Sequence, residues 1–344
     1  MVVKLLQTEI SRLGLDCAIF ATYEKVNLNL FYLTGYVGAG FLVVFANGRL
    51  MLHVPSRDLS LAKKVKGVTV SSGKKLSEVL SSNGISVKKA GIDFANISVL
   101  DFNNLKEKLS CDFIDLTEFM EDMRMIKRSD EVDLIRKACS ITDEIIDKFV
   151  KNFNNFKSEE EAVAFLVYSA RKRGCGIAFE PIVATGANAS VPHHVSSGKI
   201  NNGFCVVDFG VTFKGYCSDV TRTFYVGKPS VSDKKIYHDL LGAQLKTISF
   251  VKSGALIKEV SVESEKLTGE MIHSLGHGLG IEVHEKPFVS KDTKISFKEG
   301  MVVTIEPGVY VSGKYGIRIE DDVLVTSTGC EVLSKFWKEL IIIK

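Results

Sequence analysis

The sequence predicts an α/β protein of two domains, a smaller α/β amino-terminal domain over residues 1–122 and a larger α+β domain over residues 123–344. Three observations predict it. The chain has 344 residues, long for one core when a domain averages about 150. Its first third alternates short strand-like and helical patterns. Two long helical patterns follow, and beyond Gly174 the pattern turns mainly to strands.

The elements follow in order. MVVKLLQTEISRLGLD is broken early by charge and has apolar residues at helical spacing, so it reads as a helix packed on a domain and not as a signal peptide. LDCAIFAT, FLVVFANGRLMLHV and GVTVSS read as strands, and LSLAKKVK and LSEVLSSNG as helical segments. AGIDFANISV and CDFIDL continue the alternation. Gly38 and Gly40 form an isolated GxG; without a third glycine and a following acidic residue it is a turn, not a dinucleotide site. FMEDMRMIKRSDE, residues 119–131, is charged and irregular and marks the boundary. A long helix then starts with Ser129 or Asp130 as its cap and Glu131 in its first turn. Leu134, Ile135, Ala138, Ile141 and Ile145 give its apolar face, and SEEEAVAFLVYSARKRG forms a second helix ending at Gly174.

Composition narrows the function. The net charge is only +3 and no long basic run occurs, which argues against a nucleic-acid partner. No run reaches the ~18 apolar residues of a membrane span. The seven cysteines are scattered without a CxxC pair, which reads as reduced thiols of a cytoplasmic protein. Cys205 and Cys217 read as small core-filling residues on strands.

Four segments carry chemistry. FCVVDFGVTFKGYCSDVTRTFYV reads as two strands turned at Lys214-Gly215, each with one aspartate, Asp208 and Asp219. Carboxylates in half-buried strands need compensation. A divalent cation would supply it, and so would a basic partner such as Arg222. HSLGHGLGIEVHEKP holds His273, His277 and His284 among glycines that allow close backbone approach and positive φ. It is not HExxH, so the helix-borne zinc site is excluded. In MVVTIEPGVYVSGKYGIRIEDDVLVT, Glu306 ends an apolar strand. Arg318, Glu320 and Asp322 share one strand face there, placing Arg318 to orient Glu320. FEPIVATGANASVPHHVSSG brings His193 and His194 after Pro192, with one imidazole able to face a substrate and His194 read as a surface residue. Together, four carboxylates and a histidine suit a pair of Mn, Co, Fe or Zn ions and hydrolytic chemistry.

The Asp208/Asp219 hairpin, GHGLGIEVHE, IEPG and GIRIEDD resemble the pita-bread metallopeptidases, in the prolidase and Xaa-Pro aminopeptidase branch. The resemblance covers about residues 125–344, and the first domain looks like the creatinase-type amino-terminal domain of that branch. It implies two divalent metal ions. Asp208 would chelate one, Asp219 and Glu320 would bridge both, and His277 and Glu306 would bind the second. It also implies Glu306 as general base on the water between the metals, His193 as a substrate contact, and His284 as the group that stabilises the tetrahedral intermediate or protonates the leaving amine.

The implied activity is hydrolysis of the Xaa-Pro bond, with a dipeptide or short peptide as substrate and a homodimer as the assembly. A dipeptidase is favoured over an aminopeptidase acting on longer peptides. A non-catalytic binding protein of the same fold is the rival from another class, and it would be free to lose ligands that are all present here.

Overall fold

The computed structural model describes residues 2–23, 26–82 and 86–343. The chain divides into two compact units, Met1–Met123 and Arg124–Lys344.

In the first unit, α1 (Val2–Arg12) leads to β1 (Cys17–Thr22) and α2 (Leu28–Thr34). The hairpin β2 (Gly40–Phe45) and β3 (Leu50–Val54) follows, then α3 (Leu59–Ala62), β4 (Thr69–Ser72) and α4 (Leu76–Ser82). The unit continues through β5 (Lys89–Ile92), α5 (Val99–Lys108) and β6 (Asp112–Asp115). Its strands form one mixed sheet in the order β4-β3-β2-β1-β5-β6. Successive side chains alternate between faces. Ala18, Phe20, Leu42 and Val44 pack with Leu6 and Ile10 of α1. Cys17, Ile19, Val43 and Phe45 pack with Val79 and Leu80 of α4 and Leu105 of α5. Both faces are covered, so the strands read as near-continuous apolar runs.

Several expectations for this unit need correction. LSLAKKVK is α-helical only over Leu59–Ala62. The Asn83-Gly84 end of LSEVLSSNG lies outside the described residues. The helices α2 and α5 were not read from the sequence. α2 has seven residues, opened by the Asn27 side chain and closed by Gly35 at φ 71°. α5 begins with Val99 and Leu100 exposed, which blurs its apolar spacing.

Residues 119–131 are mostly helical, not irregular: α6 spans Thr117–Met125 and α7 spans Ser129–Asn152. Charge hid a helical face that buries Met120 completely. The cap of α7 lies one residue before Ser129. Glu131 Oε2 accepts from the Arg128 N–H at 2.9 Å, so Ser129 is already helical. The next helix is α8 (Glu159–Lys172), capped by the Ser158 side chain.

The chain beyond Gly174 is mainly strand, as expected, but α9 (Val231–Phe250) and α10 (Ile257–Thr268), not read from the sequence, interrupt it. The signal for α9 was present in Ser230 and Asp233, which cap each other reciprocally at 2.9 and 3.1 Å.

Before α9 come β7 (Gly176–Ile177), β8 (Ile182–Thr185), β9 (Gly203–Phe209), β10 (Val211–Phe213), β11 (Tyr216–Cys217) and β12 (Val220–Val226). After α10 come β13 (Gly276–Gly278), β14 (Glu285–Val289), β15 (Val302–Ile305) and β16 (Gly308–Val311). The chain ends through β17 (Tyr315–Arg318), β18 (Asp321–Val325), β19 (Cys330–Val332) and β20 (Ile342–Ile343). The two larger sheets of this unit run β20-β12-β9-β8 and β14-β13-β15-β18-β19.

Each of these sheets has its own helical cover. Ile141, Ile145 and Phe149 of α7 and Leu166 of α8 pack on Cys205, Val207, Phe209 and Phe224. Ile248 of α9 and Ile257 and Val260 of α10 pack on Leu275, Val303, Ile305 and Val323. Phe149 is fully buried against the rings of Phe153, Phe156, Phe165 and Phe224. Phe149→Ala is expected to cost about 3–5 kcal/mol through lost burial and the cavity left behind. Denaturant unfolding checks this, and a loss below about 1 kcal/mol would contradict it.

Candidate metal centre

Strand parity places the functional side chains. Val207 and Phe209 enter the core beneath α7 and α8, so Asp208 between them faces the other way. Val303 and Ile305 enter the core beneath α9 and α10, which turns Thr304 and Glu306 outward. Val323 and Val325 do the same beside Glu320 and Asp322. The expected two-stranded hairpin is split into β9, β10, β11 and β12; β9 and β12 pair antiparallel with Asp208 opposite Thr221, and Asp219 stands just before β12 and not on a strand. The chain between β9 and β12 turns at Lys214 and Gly215, with φ of 49° and 88°, the positive-φ pair that tight hairpins use.

His277 lies on β13 between two glycines. A Cβ at Gly276 would sit 2.0 Å from the Thr304 carbonyl oxygen, and one at Gly278 would sit 2.3 Å from that of Lys286. The expected close approach is therefore present. The expected positive φ is not, since Gly276, Gly278 and Gly280 all lie outside the left-handed region.

Ligand atoms of Asp219, His277 and Glu320 lie within 4.8 Å of one another. His277 Nε2 is 3.3 Å from Glu306 Oε1 and 3.6 Å from Asp219 Oδ2. Asp208 lines the same cavity, with Oδ2 accepting from Arg318 Nη2 at 2.6 Å. Arg318 thus grips Asp208 and not, as expected, Glu320. It reaches Glu320 only through Thr221, which accepts from Arg318 Nε at 3.1 Å and donates to Glu320 Oε2 at 2.6 Å. Arg222 pairs with neither site aspartate; its partner is Asp321, at 2.8 Å. Asp322 Oδ2 accepts from the Asp219 N–H at 2.9 Å and from the Cys139 thiol at 3.1 Å, which fixes the Asp219 backbone.

The electrostatics show how crowded the carboxylates are. Burial, then the charges of Glu320 and Asp208, hold Asp219 well above the usual carboxylate range. Burial, then Glu306 and Asp208, do the same to Glu320. Burial also opposes a charge on Glu306, but the adjacent His277 outweighs it and lowers that group. Asp208 Oδ1 is buried with no hydrogen-bond partner. His277 Nδ1 donates to the Gly278 carbonyl at 3.1 Å, which leaves Nε2 turned toward the carboxylates; burial opposes a charge on this imidazole, but Glu306 outweighs it and raises its pKa, so Nε2 must give up its proton to take a cation. Crowded carboxylate oxygens, one orphaned oxygen and one imidazole nitrogen make a donor set that fits divalent cations.

The cavity above this floor measures about 370 Å³, and His193, His273, His284, Phe179, Ile182 and Phe288 are among its walls. The His284 ring stands edge-on to His277 with centroids 4.3 Å apart. Burial, then the neighbouring His277, lowers the His284 pKa and keeps this imidazole neutral near pH 7. His273, given no role from the sequence, bonds the Ser274 carbonyl at 2.8 Å and the Tyr310 hydroxyl at 3.1 Å. Tyr310 also accepts from Arg318 Nη1 at 2.8 Å. Its position opposite Val309 and Val311 on β16 was the signal available. His194, expected at the surface, instead turns inward onto Glu159 at 2.8 Å.

Comparison with known proteins then adds independent findings. The profile of metallopeptidase family M24 matches residues 133–327, and that of the creatinase/prolidase N-terminal domain matches residues 3–126. The chain is 34% identical to an Xaa-Pro dipeptidase of Pyrococcus furiosus over 328 residues, 92% of this chain and 93% of that protein. The crystal structure of an X-Pro aminopeptidase from Thermotoga maritima superposes with a TM-score of 0.91 at 31% identity, covering 97% of this chain and 100% of that one. The prolidase from Pyrococcus horikoshii gives 0.90 at 32% identity, with 99% of each chain covered.

Proposed function

The chain belongs to metallopeptidase family M24, with a creatinase-type amino-terminal domain before a pita-bread catalytic domain, and from that premise we propose that it hydrolyses the Xaa-Pro bond of dipeptides. The observation that carries the reading is the convergence of Asp219, His277 and Glu320 within 4.8 Å, with Glu306 beside His277. Asp208 and these four residues would hold two divalent cations, drawn from Mn, Co, Fe or Zn. When bound, the cations supply Lewis acidity to the cavity.

The side chains do the rest. Glu306 takes the proton of the attacking water. His284, as a neutral imidazole, donates an N–H hydrogen bond to the developing oxyanion, and the proton taken up by Glu306 passes to the leaving proline nitrogen. His193 contacts the substrate from the opposite wall. Phe179, Ile182 and Phe288 give apolar surface for the first residue and the proline ring. The seven unpaired cysteines support a cytoplasmic enzyme, and the family resemblance supports a homodimer. Among the described residues, no helix is long and apolar enough to cross a membrane.

The direct test incubates the purified protein with Mn²⁺ or Co²⁺ and Ala-Pro or Met-Pro, with an Xaa-Pro-Xaa tripeptide in a second arm. Release of the first residue from the dipeptides is expected. The second arm matters because Arg318, the one lysine or arginine lining the cavity among the described residues, is already engaged by Asp208. Release from the tripeptide alone would move the assignment to an aminopeptidase. Release from neither, with metal bound, would overturn the catalytic reading.

Metal removal has a pH signature. Asp219 and Glu320 have folded pKa values raised above their unfolded values of about 4. In the metal-free protein the contribution of these two carboxyls to stability is therefore fully present below that pH and is lost as pH rises through the folded values. Bound cations offset the repulsion and add about 2.7 kcal/mol at a hundredfold excess over Kd. Chelation is expected to lower the melting temperature more at about pH 8 than at about pH 5 by calorimetry. An equal drop at both would contradict the shared site.

A further inference from the structure

Glu159 opens α8 with its side chain completely buried. Its Oε1 accepts from the Thr185 N–H at 2.7 Å, the Thr185 hydroxyl at 2.7 Å and Asn188 Nδ2 at 3.1 Å. Its Oε2 accepts from His194 Nε2 at 2.8 Å, the Ser197 N–H at 3.0 Å and Asn188 Nδ2 at 3.2 Å. One carboxylate thus collects donors from both ends and the middle of the loop 185–198. The helix N-terminus beside it favours the negative charge. A buried carboxylate of this kind is stable only while its donors stay in place.

That loop carries His193 to the cavity wall. Among the described residues the His193 side chain makes no hydrogen bond of its own, so its position comes from its neighbours. On one side stands Pro192, whose ring fixes φ and whose carbonyl accepts from Arg318 Nη1 at 3.4 Å. On the other stands His194, whose N–H closes a turn onto Val191 at 3.1 Å and whose ring is tied to Glu159. His193 is the free crest between two anchored residues.

We propose that His194 and Glu159 form a positioning clamp that sets His193 against the substrate. His194 is thus a positioning residue for the reaction although it touches neither substrate nor metal. The inference rests on the Xaa-Pro reading above and on the role given there to His193. Losing the clamp lets the crest shift, and misplacement on the order of 1 Å can cost up to about a hundredfold in rate.

The test is a double-mutant cycle on Xaa-Pro hydrolysis by the metal-loaded full chain, with the melting temperature followed in parallel. His194→Phe keeps a ring and removes the donor; His194→Gln keeps an N–H donor. In the wild-type background His194→Phe is expected to lower kcat/KM about tenfold and His194→Gln less than about threefold. In a His193→Ala background His194→Phe is expected to change kcat/KM less than twofold, because the group it positions is gone.

Equal losses in both backgrounds would overturn the clamp and leave His194 a purely structural residue. Equal effects of Phe and Gln would overturn the hydrogen bond as its means. Failure of the wild-type protein to cleave any Xaa-Pro substrate is a separate result, and it would remove the functional reading and this one together.

Discussion

Glu306→Gln is expected to reduce turnover by about 10²–10⁴-fold while the protein stays folded and keeps its metal. The amide is nearly isosteric, and it can still accept the Thr304 hydroxyl bond that now reaches Glu306 Oε1 at 3.0 Å. It cannot take up the proton of a water molecule. The carboxylate can, and in the metal-free protein it stands 3.3 Å from His277. Steady-state kinetics on Met-Pro with metal content measured in parallel separate the two functions of this residue. A large fall in kcat with metal retained supports the base. Near wild-type turnover refutes it, and lost metal would show that ligation dominates.

Asp219→Ala is expected to abolish activity and to lose metal as well. Asp219 has ligand atoms of Glu320 and His277 within 4.8 Å, so its carboxylate would be among the groups that hold the cations. Its backbone N–H is held by Asp322 at 2.9 Å, so the strand keeps its path when the carboxylate is gone. Because that carboxylate is crowded, its removal also relieves repulsion in the metal-free state. The variant without metal should therefore be at least as stable near pH 8 as the metal-free wild type, although inactive. Elemental analysis and calorimetry decide this. Full metal occupancy in Asp219→Ala would contradict a bridging role.

The legibility of this protein varied with the kind of signal. The strand runs of the first unit were clearest in β1, β2 and β3, which are buried and apolar on both faces. α5 was missed, because Val99 and Leu100 lie exposed at its start. α9 and α10 were passed over for the surrounding strand pattern, although Ser230 and Asp233 marked one beginning. The site residues could be named because Asp208, Glu306 and Glu320 stand among apolar strand neighbours, where an uncompensated charge is costly. Arg318 was given the wrong partner because the single strand face expected for Arg318, Glu320 and Asp322 is broken: β17 ends at Arg318, β18 begins at Asp321 in another sheet, and Glu320 lies between them. His194 was misread because nothing near it in sequence announces Glu159, 35 positions away.

By itself, the sequence determined the chemical inventory: which carboxylates and imidazoles were available, on which strand faces they stood, and so that a metal-dependent hydrolase was within reach. Local periodicity and side-chain chemistry suffice for that, because alternation along a strand is fixed by the backbone. Only the tertiary structure decided who pairs with whom. Arg318 on Asp208, Asp322 under Asp219, Tyr310 against His273 and Glu159 beneath His194 are contacts between distant segments. They are set by how two helix-covered sheets bring their inner faces together, and no spacing along the chain encodes them.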